Sequence, residues 1–332
     1  MTETVLRFRP CFAAVFAFLF LACGGCDDKS KTLDNQRKGR DTTRPLVVGF
    51  SQIGAESEWR TAETESIRSE AAKRGIRLQF ADAQQKQENQ IRAVRSFIAQ
   101  KVDAIVLAPV IETGWEPVLS EAKQAGIPVI LADRGISVTD ASLYVTLVSP
   151  DVVEEGRMAG RWLAKKLNGK GNIAELLGTP GSSPAIDRQN GFREAIAAYP
   201  DLKIVKSQSG DFTRAKGKEV MEAFLKSGEK IDALYAHNDD MAIGAIQAIE
   251  ETGKKPGVDI IIVSIDAVRG AFQAMVEGKL NCTVECNPLL GPPIFDAIEA
   301  IRAGKTVPKK ISLREQLFEQ SQAKELIDSR KY

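Results

Sequence analysis

Histidine is nearly absent from this chain: His237 is the only one in 332 residues. Two-histidine zinc motifs are therefore excluded. A Ser-His-Asp site would have to use His237, which stands between a strand-like run and Asn238-Asp239-Asp240 with no nucleophile elbow nearby. An excess of one charge is also missing. Lys+Arg 45 against Asp+Glu 44 leaves a formal charge of +1, so no basic field draws in nucleic acid. Nucleotide fingerprints fail as well. No G-x-G-x-x-G occurs, and Gly178-Thr179-Pro180-Gly181-Ser182-Ser183 lacks the Gly-Lys-Ser/Thr ending of a phosphate loop. That stretch reads as a strand-to-helix turn.

Cysteine is scarce, and Cys11, Cys23 and Cys26 of the five fall near the N-terminus. Cys282 and Cys286 remain. On one extended strand they would lie about 13 Å apart, so no disulfide is expected without a bend. Long apolar runs are confined to Phe12 through Ala22, which follows Arg7 and Arg9 and is too short to span a bilayer. It has the layout of an export signal. Phe20-Leu21-Ala22-Cys23 resembles the cleavage box of bacterial lipoproteins, which makes Cys23 the expected lipid-modified residue, with Cys26 as its rival and a plain cleaved signal as the other reading. Residues 1–23 are thus expected to be a signal segment and 24–44 a tether. Asp27 through Arg44 carries a single aliphatic side chain, Leu33, and cannot bury enough apolar surface to order itself. As a flexible coil it would span roughly 23 Å.

Beyond Pro45, strand-like and helical patterns alternate. Ile91, Val94, Phe97 and Ile98 have amphipathic helical spacing, and they precede the aliphatic run Ala104 to Ala108. Further helices are expected at 116–125, 152–167, 187–198, 215–226, 241–252, 267–278 and 292–304. Strands are expected between them, at 127–132, 172–177, 203–208 and the other aliphatic runs, which argues for βαβ units and parallel sheets.

Five of the aliphatic runs end in polar residues: Leu46–Phe50 into Ser51-Gln52, Val129–Ala132 into Asp133-Arg134, Ala233–Ala236 into His237-Asn238-Asp239-Asp240, Ile260–Ile265 into Asp266, and Asn281–Val284 into Glu285. Open α/β sheets bind ligands just past their strand carboxyl ends. The pattern therefore describes a polar pocket lined by strand tips. Asp133, Asp239, Asp266 and Glu285 could converge there as hydrolytic carboxylates, although a helix N-cap is the competing reading, above all for Asp239 and Asp240. Trp59-Arg60 follows the first tip. On spacing alone a core tryptophan and an aromatic wall for a sugar ring are equally good readings.

Several stretches resemble a known family: Gln84 to Ile91, Thr113 to Leu119, Ser207 to Arg214 and Tyr235 to Met241. From about Pro45 to Phe318 the chain is similar to the type I periplasmic sugar-binding proteins, with the galactofuranose-binding branch nearest. The resemblance implies two doubly wound parallel-sheet α/β lobes joined by a three-crossover hinge. The lobes would be 45–147 plus 286–310 and 148–285 plus 311–332. It implies a ligand set of Trp59, Arg60, Asp133, Arg134, Arg188, Phe212, Asn238, Asp266 and Glu285. Where the ribose-binding branch has two phenylalanines and a glutamine, this chain has Trp59-Arg60 and Glu285, which argues against ribose.

The expectation is then a monomeric, non-catalytic extracytoplasmic receptor without metal or cofactor, held to the membrane by a lipid. It would close over a monosaccharide such as galactofuranose and pass it to an ABC-type permease. The alternative is a sugar sensor that signals to a membrane histidine kinase or chemoreceptor. A sugar-responsive repressor would share the two-lobed core but needs an N-terminal helix-turn-helix, in place of which this chain has a signal and tether.

Overall fold

A computed structural model describes residues 44–332. The expected signal, Cys23, Cys26 and all but the last residue of the tether lie outside the described residues. The rest alternates strand and helix: β1 (Val47–Gln52), α1 (Glu58–Lys73), β2 (Arg77–Asp82), α2 (Gln87–Ala99), β3 (Ala104–Leu107), α3 (Glu116–Gln124), β4 (Val129–Ala132), β5 (Thr146–Ser149) and α4 (Val152–Lys166). There follow β6 (Lys170–Leu177), α5 (Ser183–Ile196), β7 (Asp201–Ser209), α6 (Arg214–Lys226), β8 (Ala233–Ala236), α7 (Asp239–Glu251), β9 (Ile261–Asp266), α8 (Arg269–Val276), β10 (Cys282–Glu285) and α9 (Gly291–Arg302). Short β11 (Lys310–Ser312), β12 (Leu317–Glu319) and α10 (Ala323–Leu326) end the sequence of elements.

Two six-stranded sheets result, one per lobe, in the orders β2-β1-β3-β4-β5-β11 and β7-β6-β8-β9-β10-β12. All neighbours are parallel except β10 and β12. Burial on both faces explains the unbroken aliphatic runs. In the first sheet Phe50, Val106 and Ile130 pack with Ile67 and Phe295 on one face. Ile105, Leu107 and Leu131 pack with Phe97 and Trp115 on the other. The second lobe is built on one larger cluster around Phe192, Tyr235 and Phe272.

The chain passes between sheets at 150–151, 286–290 and 313–316. Val148 and Ser149 still pair in the first sheet, as do Lys310, Ile311 and Ser312, so the sheets exchange the chain a few residues after Val148 and Lys310. Strand carboxyl ends from both sheets meet at one cleft, and the lobes touch across it. The Glu58 backbone N–H donates to Asp240 Oδ2 (2.8 Å), the Gly135 N–H to Ser183 Oγ (2.8 Å) and the Glu112 N–H to the Gly181 carbonyl (2.9 Å). Among the described residues no helix is long and apolar enough to cross a membrane.

Candidate functional site

The cleft closes on a cavity of about 20 Å³, room for roughly one water molecule. Eight of the nine residues singled out in the sequence line it: Trp59, Arg60, Asp133, Arg134, Arg188, Phe212, Asn238 and Asp266. Glu56, Ser57, Pro184 and Cys286 line it too, although no strand-tip pattern marked them. Glu285 is not in the lining. Its Oε1 accepts from Arg330 Nη1 and Nη2 (3.1 Å each) and from the Tyr332 hydroxyl (2.9 Å).

From the first lobe, Ser57 starts α1 by accepting the Arg60 backbone N–H on its Oγ (3.1 Å). That cap fixes Trp59 and Arg60 at the cleft. Arg60 Nε donates to Glu56 Oε1 (2.9 Å), Nη1 to Glu63 Oε2 (2.5 Å) and Nη2 to Asp133 Oδ2 (2.7 Å). The tip of β1 contributes from behind, because Gln52 Nε2 donates to Glu63 Oε2 (2.9 Å) instead of facing the cavity. The Trp59 indole N–H donates to the Cys286 carbonyl (2.5 Å), and its ring belongs to the second lobe's core cluster. Trp59 is therefore both a core residue and a cavity wall.

The second lobe answers with Arg188. Its Nε donates to Glu155 Oε2 (2.8 Å) and its Nη1 to the His237 carbonyl (2.5 Å), while Nη2 lies 3.4 Å from Asp266 Oδ1. Phe212 rests on Gly178, where a Cβ would fall 1.9 Å from its ring, so only glycine admits it. Arg134 and Arg188 flank that ring at 5.3 and 5.9 Å from its centroid. Asn238 caps α7 through the Met241 N–H (3.0 Å) and also donates from Nδ2 to the Phe212 carbonyl (3.1 Å). Asp133, Phe212 and Asp266 have positive φ (63°, 59° and 128°). Such backbone costs about 1–3 kcal/mol per residue and concentrates at binding sites.

Burial and charge oppose one another here. Burial disfavours the Arg60 charge, but Glu63, Asp133 and Glu56 outweigh it and raise its pKa. Arg134 has weaker support: burial and the neighbouring Arg60 pull it down to about 10. Glu56 stays below the usual carboxylate range because Arg60 and Arg134 overcome its burial. For Asp266 burial wins over Arg188, with Asp239 and Glu155 adding repulsion, and its carboxyl is raised well above the ordinary value. Arg134 Nε and Glu56 Oε2 are buried without a hydrogen-bond partner.

The remaining strand-tip candidates lie outside the cavity lining. Asp239 Oδ1 accepts from Ser264 Oγ and Thr283 Oγ1, and Oδ2 from the Val268 N–H (2.9 Å), tying the tips of β8, β9 and β10 together. Asp240 accepts from Arg214 Nη2 (2.8 Å). His237 is fully buried, with Nε2 3.6 Å from Glu175 Oε1, and burial lowers its pKa. Cys282 and Cys286 are free and buried. Among the described residues no His, Cys, Asp or Glu group is arranged to hold a metal ion.

Two doubly wound lobes with one polar cleft between their strand tips define a two-lobed solute-binding protein. The chain belongs to the periplasmic binding proteins: the family model described as "Periplasmic binding protein domain" matches residues 48–290. It is 57% identical to the galactofuranose-binding protein YtfQ of Escherichia coli (strain K12), over 86% of this chain and 92% of that protein. A crystal structure of a galactofuranose binding protein superposes with a TM-score of 0.85 at 56% identity, covering 86% of this chain and 99% of that one. The periplasmic binding component of the arabinose ABC transporter from Shewanella sp. ANA-3, bound to α- and β-L-arabinofuranose, gives 0.84 at 56% identity, covering 86% and 96%.

Proposed function

We propose that this protein is an extracytoplasmic receptor that closes over one neutral monosaccharide in furanose form and presents it to an ABC-type permease. The observation that carries the reading is the cavity itself. Arginines, carboxylates and aromatic rings from both lobes surround one small space. Arg60 and Arg188 are each engaged by protein carboxylates, and Arg134 lies within 3.7 Å of Glu56 and of Asp133. No surplus cation is left to select a phosphate or a sugar acid. A polyol suits the mixture of donors and acceptors, and Trp59 and Phe212 offer apolar faces to its C–H surface. The relatives that bind galactofuranose or arabinofuranose support the furanose form.

Ligand contacts are assigned to Trp59, Arg60, Asp133, Arg134, Arg188, Phe212, Asn238 and Asp266. Glu285 acts from behind, holding the hinge segment that carries Cys286. No turnover is expected, because the cleft carboxylates serve as acceptors and counter-ions instead of an acid and nucleophile pair. The lipid is assigned to Cys23, on the grounds of the Arg7, Arg9 and Phe12–Ala22 layout. Titration calorimetry of the mature protein against equilibrated D-galactose and L-arabinose tests the reading. Saturable binding of one sugar, with none of its 1-phosphate, is the expected outcome. Binding of neither sugar, or of the phosphate alone, refutes it.

A further inference from the structure

Each of the three passages between the lobes carries or adjoins a buried carboxylate. Glu155 lies in the first turn of α4 after passage 150–151, Glu285 ends β10 before passage 286–290, and Glu315 lies within passage 313–316. Two of the three have cations. Glu155 holds Arg188 at 2.8 Å, and Glu285 holds Arg330 at 3.1 Å. Glu315 has none. Both of its carboxyl oxygens are shielded from solvent, and neither has a partner of hydrogen-bond geometry.

We propose that Glu315 couples lobe closure to proton uptake: its carboxyl is protonated when the lobes are together and ionises when the hinge opens and admits water. The groups facing it are few. Glu155 from α4 and Glu285 from β10 repel its charge, while the Asn287 backbone N–H of the second passage and Arg188 from α5 offset them in part. Burial is the largest influence, and the carboxyl is pushed up to about 9 in this closed arrangement. Opening would hydrate passage 313–316; Gln316 stays tied to β10 through the Glu285 N–H (2.7 Å), so what Glu315 loses is its burial and not its neighbour Glu285. The affinity of Glu315 for the proton would then fall towards that of an ordinary glutamate.

The sign follows from linkage. A group whose closed-state pKa lies above its open-state pKa favours closure fully below the open value, and loses that contribution as pH rises through the closed one. The closed-to-open ratio should therefore fall by up to about tenfold per pH unit on the way to about pH 9.

The inference rests on the reading of the cleft as a closing receptor, so the test has two arms. Spin labels on Arg92→Cys of the first lobe and Lys226→Cys of the second, both exposed, report the lobe separation of the unliganded protein by pulsed dipolar spectroscopy. The closed fraction should rise as pH drops from about 8 to about 6, and Glu315→Gln should hold it high at both values. A closed fraction that is independent of pH in the parent, or equally dependent in Glu315→Gln, overturns the proposal. Calorimetry with L-arabinose in buffers of different ionisation enthalpy forms the second arm. At about pH 8, where the unliganded parent is the more open, binding should take up more protons in the parent than in Glu315→Gln, by up to about one, and equal uptake there overturns the proposal. If no sugar binds, the ligand assignment fails while the label arm still decides the proton coupling.

Discussion

Arg60→Met removes the cation at the centre of the first-lobe half of the cleft while keeping a side chain of similar reach. Arg60 is 3% exposed and holds Glu56, Glu63 and Asp133 at 2.9, 2.5 and 2.7 Å. Removing one partner of a buried ion pair costs about 3–5 kcal/mol because the other charge is left uncompensated. Three carboxylates are stranded here, with only Arg134 beside them, so the loss should fall at the upper end of that range. Its pH dependence has a definite sign. In the parent, Glu56 is held below its ordinary value by Arg60 and Arg134 against burial, so its contribution is present above the unfolded pKa and is lost as pH falls through the folded one. Without Arg60, Glu56 loses the strongest influence holding it down and burial is left to favour its protonated form, so the variant loses stability as pH rises. The difference between parent and variant in urea unfolding should therefore grow from about pH 5 to about pH 7. Adding Glu63→Gln should recover part of it, since Glu63 is the largest carboxylate influence on Arg60. A loss below about 1 kcal/mol at neutral pH, or one that does not change with pH, would refute the charge accounting.

Gly178→Ala should leave the second lobe folded, at a cost of about 1–3 kcal/mol, but displace Phe212 and weaken sugar binding in calorimetry by at least about tenfold; unchanged affinity would remove Phe212 from the site. Asp266→Asn should cost less affinity than Asp133→Asn, because burial raises the Asp266 carboxyl and already disfavours its charge. Asp133→Asn, which takes a full charge from Arg60, should lose about tenfold or more; equal affinities for the two variants would contradict this division of roles. Cys23→Ser should abolish labelling by a radioactive fatty acid, whereas persistence of label in it, with loss in Cys26→Ser, would move the anchor to Cys26.

Buried strands were legible because burial on both faces imposes aliphatic runs; seven of the eight runs read as strands form such strands, and the eighth forms β7, a half-exposed edge strand. The four other strands leave no such mark. β2 is a half-exposed edge strand from Arg77 to Asp82, and β5, β11 and β12 are only three or four residues long. α5 starts at Ser183, four residues before its expected start at Asp187, with Pro184 in the first turn where its missing N–H costs nothing. At the site, the polar ends of β4, β8 and β9 pointed to Asp133, Asn238 and Asp266, since strand polarity alone brings such tips to one crevice. Glu56 and Cys286 were illegible for the opposite reason. They sit on a loop and a hinge passage whose positions depend on packing across the cleft. Glu285 ends a strand like the others, yet its neighbours Arg330 and Tyr332 lie 45 and 47 residues away in sequence, and no local pattern announces them.

Closure needs few ligand contacts, because the lobes supply contacts of their own across the cleft. Trp59 reaches into the second lobe's core, and Glu58, Gly135 and Glu112 each donate a backbone N–H across the cleft. Moving a two-state equilibrium from 1:99 to 99:1 takes about 5.5 kcal/mol of differential affinity. Hydrogen bonds to charged groups contribute about 1.5–3 kcal/mol each, so about two to four made only in the closed form are enough. Arg60 and Arg188 are already fixed by their own carboxylates, and the backbone of Asp133, Phe212 and Asp266 is already in its strained form. Under the proposed ligand assignment, a sugar hydroxyl meets donors and acceptors that need no further ordering, and more of each bond's free energy goes into holding the lobes together. The same fixity makes the site selective. A sugar with one hydroxyl misplaced leaves a buried polar atom such as Arg134 Nε or Glu56 Oε2, neither of which has a hydrogen-bond partner in the protein, unsatisfied.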